Sequence, residues 1–434
     1  MSSPTASPKP DCAKPDSAKP GAGKLNFVLV CIFIDMLGIG LIVPVMPLLV
    51  GQFVPSRDDH ALWFGVLAAT FGVLQFLFMP ALGALSDRIG RRPVLLYSMA
   101  GMCLNFLVTA WAPSLFWLFV GRAIGGMSSA SMSVASAYAS DISTKENRAK
   151  SFGKIGAAFG LGFICGPVLG GLLGNSDLHL PFYVAALLSA ANFVYGCFMV
   201  PESLAPGRRA AFDWARLNPL AALGRLARRR DIRGLVVVIS LVTFSQIMLQ
   251  STWVLYTTFR FDWTPRDNGI ALFCVGLVSA VVQAGLLAML VRRFGETRLA
   301  LMGIASGAFA FLGYGLATQG WMMYALILCN VLGFAAGPAM QAIVSKATPA
   351  NQQGELMGSL QSISSLGVIV TPLLGTAIIA SVSHLPRGDW RTGSHFLLCA
   401  AMQALAIVVA WRYFRSHRVH DSRGASADSD KLRA

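Results

Sequence analysis

Long apolar runs alternate with short polar stretches from residue 25 to residue 413. Twelve such runs fall at roughly 25–50, 61–85, 93–112, 115–140, 153–174, 181–200, 234–258, 269–291, 299–318, 321–344, 355–380 and 395–413. A run of about 20 apolar residues crosses the hydrocarbon core as one helix. The pattern therefore predicts an all-α membrane protein with 12 transmembrane helices, in a first six-helix bundle (25–200) and a second (234–413). The remainder is polar: an N-terminal tail (1–24), a basic linker (201–233) and a C-terminal tail (414–434).

The tail repeats Pro, Ala, Ser and Lys, as in Ser7-Pro8-Lys9-Pro10, and cannot bury a core, so it is expected to be disordered. No cleavable signal peptide precedes the first span, which must itself direct insertion. In the linker, Asn218 before Pro219 starts a short helix. Leu220, Leu223 and Leu226 lie opposite Arg225, Arg228 and Arg229, the pattern of a helix resting on an anionic leaflet.

The two bundles echo one another. Gly90, Gly153, Gly162, Pro167 and Gly170 recur as Gly295, Gly358, Gly367, Pro372 and Gly375, each 205 residues later. A constant offset across separated segments is an internal duplication, and repeats of this kind let two bundles rock about a midplane site. Arg88 maps to Arg293, but Asp87 maps to Arg292, so the halves have lost equivalence.

Hydrophobic residues make up 55% of the chain and charged residues 13%, which leaves no soluble catalytic core. The net charge of +15 would suit a nucleic-acid binder, but the linker arginines have no interleaved aromatics. Of 35 Lys and Arg, 29 fall on the side of both termini, five on the other (Arg57, Arg260, Arg266, Arg387, Arg391), and one, Arg122, inside a span. By the positive-inside rule both tails are cytoplasmic. Seven of eight cysteines are scattered through the spans without ligand spacing, as small apolar packers, and no metal or disulfide is expected.

Two charges lie within the bilayer. Asp35 sits about ten residues, or about 15 Å, into the first span, near the midplane. A carboxylate there costs several kcal/mol, and desolvation favours its neutral form, so it is poised to exchange a proton. Arg122 enters from the opposite face to a similar depth, within side-chain reach of Asp35, and such a pair is far cheaper than either charge alone. Pairing alone, and snorkelling of Arg122 to the interface, are the structural alternatives. Gly38, Gly40, Pro44 and Pro47 should bend the first span around a cavity.

The turn Gly83-Ala84-Leu85-Ser86-Asp87-Arg88-Ile89-Gly90-Arg91-Arg92 joins spans two and three. Gly83 would let the helices approach, Gly90 permits a tight reversal, and Asp87 can hold Arg88 or Arg91. Asp141, with Glu146, Arg148 and Lys150, could trade salt bridges with it. Span five carries Gly156, Gly160, Gly162, Gly166, Pro167, Gly170, Gly171 and Gly174, a spacing that lets a partner helix approach backbone to backbone. Neutral polar residues offer a substrate lining: Gln75, Asn105, Gln246, Gln250, Asn330 and Gln341, besides Gln283 and Gln361. Gln246 and Gln250 are one turn apart on one face. Trp253 and Tyr256 fit either a flat ligand or an interfacial belt. The histidines (His60, His179, His384, His395, His417, His420) fall in loops, tails or span edges, and no nucleophile and base pair is visible, so no enzyme is expected.

These segments resemble the drug:proton antiporter branch of the major facilitator superfamily, most closely the tetracycline exporters, over roughly residues 25–413. The resemblance rests on Asp35 to Pro47, the turn from Gly83 to Arg92, the Arg122 segment, and Gly156 to Gly171, which is similar to the antiporter signature. It implies that Asp35 takes part in proton coupling, that Arg122 shapes that site, and that Asp87 with Arg91 gates the cytoplasmic side. The exporters carry an acid where Asn105 stands, a histidine near Ser279 and an aspartate near Ser306 or Gly307. A single carboxylate fits fewer protons per cycle and a less charged substrate.

The expected activity is efflux of a small amphipathic drug-like molecule, tetracycline among the candidates, by alternating access in a bacterial inner membrane. The proton motive force drives it without a cofactor, and the expected partners are substrate, protons and lipid, with the chain a monomer. A proton-coupled importer is the alternative, and a non-transporting receptor a weaker one.

Overall fold

The computed structural model describes residues 22–143, 147–204, 233–346 and 353–431. Residues 1–21, most of the linker with its amphipathic segment, and Glu146 lie outside the described residues.

Each predicted span is a helix or a helix pair. The first is α1 (Ala22–Ile42) and α2 (Met46–Gly51), broken around Pro44 as its prolines and glycines predict. Then follow α3 (Arg57–Ile89), α4 (Arg91–Ala110), α5 (Leu115–Ser128) with α6 (Ser131–Ile142), α7 (Arg148–Gly174) and α8 (Leu180–Met199). The second half holds α9 (Arg233–Phe261) and α10 (Pro265–Val281), which continues through a π turn at Val282–Leu286 into α11 (Leu287–Phe294). It ends with α12 (Glu296–Leu316), α13 (Gly320–Cys329) with α14 (Val331–Lys346), α15 (Gln353–Val382) and α16 (Ser394–Lys431). The last helix therefore runs on beyond residue 413. Among the described residues, ten helices are long and apolar enough to cross a membrane, and α13 with α14, bent by 47°, makes an eleventh crossing if the pair is one span. The remaining predicted span is α5 with α6, two helices each too short to cross alone.

Local chemistry sets the boundaries. Ser56 caps α3 by accepting from the Asp59 amide at 3.1 Å, and Thr264 with Asp267 closes a capping box on α10. The duplication is visible in the backbone: Gly90 (φ 117°) and Gly295 (φ 73°) are the positive-φ glycines among the described residues, each terminating one helix and opening the next. A Cβ at Gly90 would run into the Glu202 carboxylate, whereas at Gly295 it would meet open space. Gly90→Ala is thus expected to combine backbone strain of about 1–3 kcal/mol with a displaced carboxylate, and Gly295→Ala to suffer the strain alone. The thermal denaturation midpoint of the solubilised protein should fall further for the first variant, and equal shifts would contradict this.

Within each half, small residues draw helices together. Gly162 and Gly166 lie on one face of α7 against the backbone of α1, where a Cβ would come 2.6 Å from the Phe33 carbonyl and 2.7 Å from the Gly40 Cα. In the second half, Gly367 and Gly375 of α15 take the same role against Phe244, Ile247 and Met248 of α9.

The halves touch along α3 with α15 and α7 with α10. Contact is concentrated at the end opposite the Gly90 and Gly295 turns, called here the seam end. There Gly65 and Gly72 pack on Thr376 and Val368, and Gly171 lies 3.0 Å or so, as a Cβ would measure it, from the Gly269 Cα. Ser383 donates to Asp58, and the Arg57 guanidinium sits 5.6 Å from the Phe259 ring centre. Toward the turn end the same helices part: nothing described stands within 4 Å of a Cβ at Gly83, Gly153, Gly156, Gly160 or Gly285. The close approach anticipated at Gly83 is thus absent in this conformation, which is closed at the seam end.

Candidate proton and substrate site

Asp35 lies in the middle of α1 and is 5% exposed. Two neighbouring helices supply its partners. The Asn192 amide of α8 donates to Asp35 Oδ1 at 2.9 Å and to the Cys31 carbonyl at 3.0 Å. Ser131, at the start of α6, stands beside the carboxylate as its other polar neighbour. Both partners are neutral.

The anticipated ion pair with Arg122 is not formed. Arg122 lies on the face of α5 that meets α3, with its guanidinium carbon 5.9 Å from the Phe71 ring centre. Its Nε and one terminal nitrogen are buried without a hydrogen-bond partner. Asp35 instead faces α6 and α8, so the two charges are satisfied separately, the cation in part by the aromatic face. Asn192 escaped the sequence reading, although an amide in the apolar run Ala190-Ala191-Asn192-Phe193 is the same kind of signal that singled out Asn105.

The polar candidates divide into two groups. Gln75 of α3 donates to Ser129 Oγ at 2.8 Å, and Ser306 of α12 donates to Asn330 Oδ1 at 2.8 Å. Each bond is made where a span breaks, between α5 and α6 and between α13 and α14. Asn105 is 1% exposed and packs against Gly121 and Gly125, so it fills the α4–α5 interface. Gln246 and Gln250 are exposed on one face of α9, opposite the side where Ser245 and Met248 are buried, and Gln341 is exposed on α14. Ser279 accepts from Gln283 at 2.6 Å on an exposed face, and Gly307 lies beside Gln403. Trp253 and Tyr256 are neither belt nor ligand platform. They are 4% and 2% exposed, and the Tyr256 hydroxyl donates to the Tyr314 carbonyl at 2.8 Å within an aromatic cluster at the seam end. His60, expected at a span edge, is 8% exposed, with its ring 2.6 Å from the Pro47 carbonyl.

At the turn end, charges from four segments converge. Arg91 pairs with Asp87 at 2.6 Å and with Asp141 at 3.0 Å, and also donates to Ser86 at 2.6 Å. Glu202, just beyond α8, accepts from the backbone amides of Arg91 at 2.9 Å and Arg92 at 3.2 Å, capping α4. Arg92 reaches the Cys197 carbonyl, and Arg88 is exposed. The cluster clamps the α3–α4 turn to the ends of α6 and α8, all within the first half. Glu202 could not be foreseen, because its partners are backbone amides 110 residues away in sequence.

On α7, Gly166 and Gly170 face α1, Gly171 faces Pro265 and Gly269 of α10, and Pro167 presents its carbonyl to Gly269. This helix is thus wedged between its own bundle and the opposite one at the seam end, and free of described neighbours at Gly156 and Gly160.

Residues 28–358 and 321–432 match the model of the Major Facilitator Superfamily. The chain belongs to the Major Facilitator Superfamily. Among its superfamily relatives, the class C tetracycline resistance protein of Escherichia coli is 38% identical over 383 residues, covering 86% of this chain and 95% of that protein. The class B protein of Escherichia coli is 35% identical over 363 residues, covering 81% and 88%. Among solved structures, the human organic anion transporter MFSD10 (TETRAN) superposes with a TM-score of 0.66 at 25% identity, over 89% of this chain and 98% of that one. The nucleoside transporter NupG superposes with a TM-score of 0.71 at 13% identity, over 90% and 99% of the chains, a likeness of fold. The superfamily is one of transporters, and the chain is a multi-pass membrane protein.

Proposed function

We infer that the protein expels a small amphipathic drug-like molecule of the tetracycline kind in exchange for protons, by alternating access. The observation that carries this reading is Asp35, a carboxylate buried in α1, held by a neutral donor from α8 and paired with no cation among the described residues. A donor held against an acid suits its ionised form. With the turn end facing the cytoplasm of a bacterial inner membrane, as the positive-inside count implies, this conformation opens inward. A proton is then released to the cytoplasm while substrate enters between the halves. Reclosure at the turn end and parting at the seam end expose Asp35 to the outside, where a new proton neutralises it and substrate leaves. The proton motive force supplies the energy, and one chain with two bundles is a complete unit. Relatedness to tetracycline resistance proteins favours export over import.

A second reading concerns the charge of the passenger. The unpartnered nitrogens of Arg122 would be satisfied by an anionic or enolate oxygen.

The test is an efflux-deficient bacterial strain expressing the protein, challenged with tetracyclines, cationic dyes and organic anions, followed by inverted vesicles in which substrate-induced proton movement is recorded. Resistance to tetracyclines or related amphiphiles, with protons leaving the lumen as substrate enters, is expected. Proton and substrate moving in the same direction would overturn the antiport reading.

A further inference from the structure

We propose that Asn192 is the positioning residue of the proton step, holding the ionised carboxylate of Asp35 between α1 and α8 and so setting the pH at which the transporter cycles. The proposal rests on the exporter reading above, because it gives a role to the proton that reading invokes.

Asn192 is fully buried and bonds to two atoms on α1 with one nitrogen. Its orientation is fixed by the Cys31 carbonyl, which can only accept, so the amide must present N–H on that side. The same N–H group therefore also meets Asp35 as a donor, which suits a carboxylate and suits a carboxylic acid less well. The other end of the amide, Oδ1, is buried without any partner. A buried acceptor left open normally costs free energy. Held in this orientation, the amide turns its donors toward α1 and its acceptor away, so it favours the ionised acid over the neutral one. The proton comes from external water, adds to the carboxylate and returns to internal water, and no other bond changes.

The surroundings leave few competitors. On its own helix Asp35 is faced by the Cys31 thiol, and α6 brings the Ser131 hydroxyl. The approaching face of α7 presents glycine, Gly162 and Gly166, against the α1 backbone. Among the described residues no Lys, Arg or His makes an ion pair with Asp35, Arg122 being turned to Phe71. The balance between ionised and neutral acid is thus left largely to neutral groups, of which Asn192 is the one that donates to the carboxylate.

A substrate-free titration tests this. The full-length protein in liposomes is followed by infrared difference spectroscopy across pH, and the carbonyl band of the protonated acid is assigned by its loss in Asp35→Asn. Asn192→Leu removes the donor and should move the midpoint of that band to higher pH by about one unit, a tenfold change in proton affinity. Asn192→Ser keeps a shorter donor and should lie between Asn192→Leu and the native protein, and it carries the test if the leucine variant fails to insert. A residue that merely glues α8 to α1 would lower yield or stability without moving the midpoint. Coincident midpoints, or an Asp35 band that does not titrate, would overturn the proposal. The exporter reading is judged separately, by transport in the Asp35→Asn variant, so the two can fail independently.

Discussion

Asp35→Asn is expected to lower gradient-driven accumulation of substrate in inverted vesicles by about a hundredfold, the ratio carried by two pH units of proton bias. The amide has nearly the shape of the carboxyl group and its Oδ1 can still accept from Asn192, so the packing of α1 against α6 and α8 should survive. It cannot be ionised. The variant would remain in a neutral state whatever the pH on either side, and the proton gradient would have nothing to act on, since a ligand shifts an equilibrium only by its differential affinity for the two states. Exchange of labelled for unlabelled substrate at equilibrium consumes no gradient and should persist. Undiminished uphill transport by the variant would remove the basis for proton coupling.

The second large effect is expected at the seam end. A Cβ on Gly171 would stand 2.5 Å from the Pro265 carbonyl oxygen and 3.0 Å from the Gly269 Cα, and both are backbone atoms that cannot swing aside. Gly171→Val adds two further methyl groups there. Overpacking of this kind typically costs about 1–3 kcal/mol, and here it falls on one conformation only, because the contact exists only when α7 and α10 touch. That amount shifts a two-state balance by roughly 5- to 150-fold toward the form open at the seam end. Spin labels on α3 and α15 near Asp58 and Ser383, which are hydrogen bonded in the closed form, should report a longer separation, and efflux should fall with it. Gly156→Val has open space around its Cβ and serves as the control. A distance distribution unchanged by Gly171→Val would mean that the seam is not held by this approach.

The architecture was legible in the sequence because the bilayer admits so few solutions: twelve apolar runs could only be helices, and the predicted boundaries lie within a few residues of the observed ones except at the end of the last helix, which runs on to Lys431. The repeat of Gly90 at Gly295 announced two turns with the same unusual backbone. Charged contacts within about one turn, such as Asp87 with Arg91, could be read from spacing. What spacing could not give was rotation about the helix axis. Asp35 and Arg122 have matching depths, yet they point to different neighbours, and depth is all that counting residues supplies. For the same reason Asn192 and Glu202 stayed hidden, since their partners lie on segments more than a hundred residues away in sequence. Trp253 and Tyr256 misled because aromatic residues near a helix end look alike whether they meet headgroups or one another.

The breaks in the fourth span of each half, between α5 and α6 and again at Asn330, have a consequence for the passenger. A helix interrupted partway across a bilayer leaves peptide groups without their usual mates. At both breaks the side chains that bond, Gln75 with Ser129 and Ser306 with Asn330, carry no formal charge. Neutral groups are cheap to wet and cheap to dry, so a passenger that met such a break would be picked up and let go without a deep energetic well.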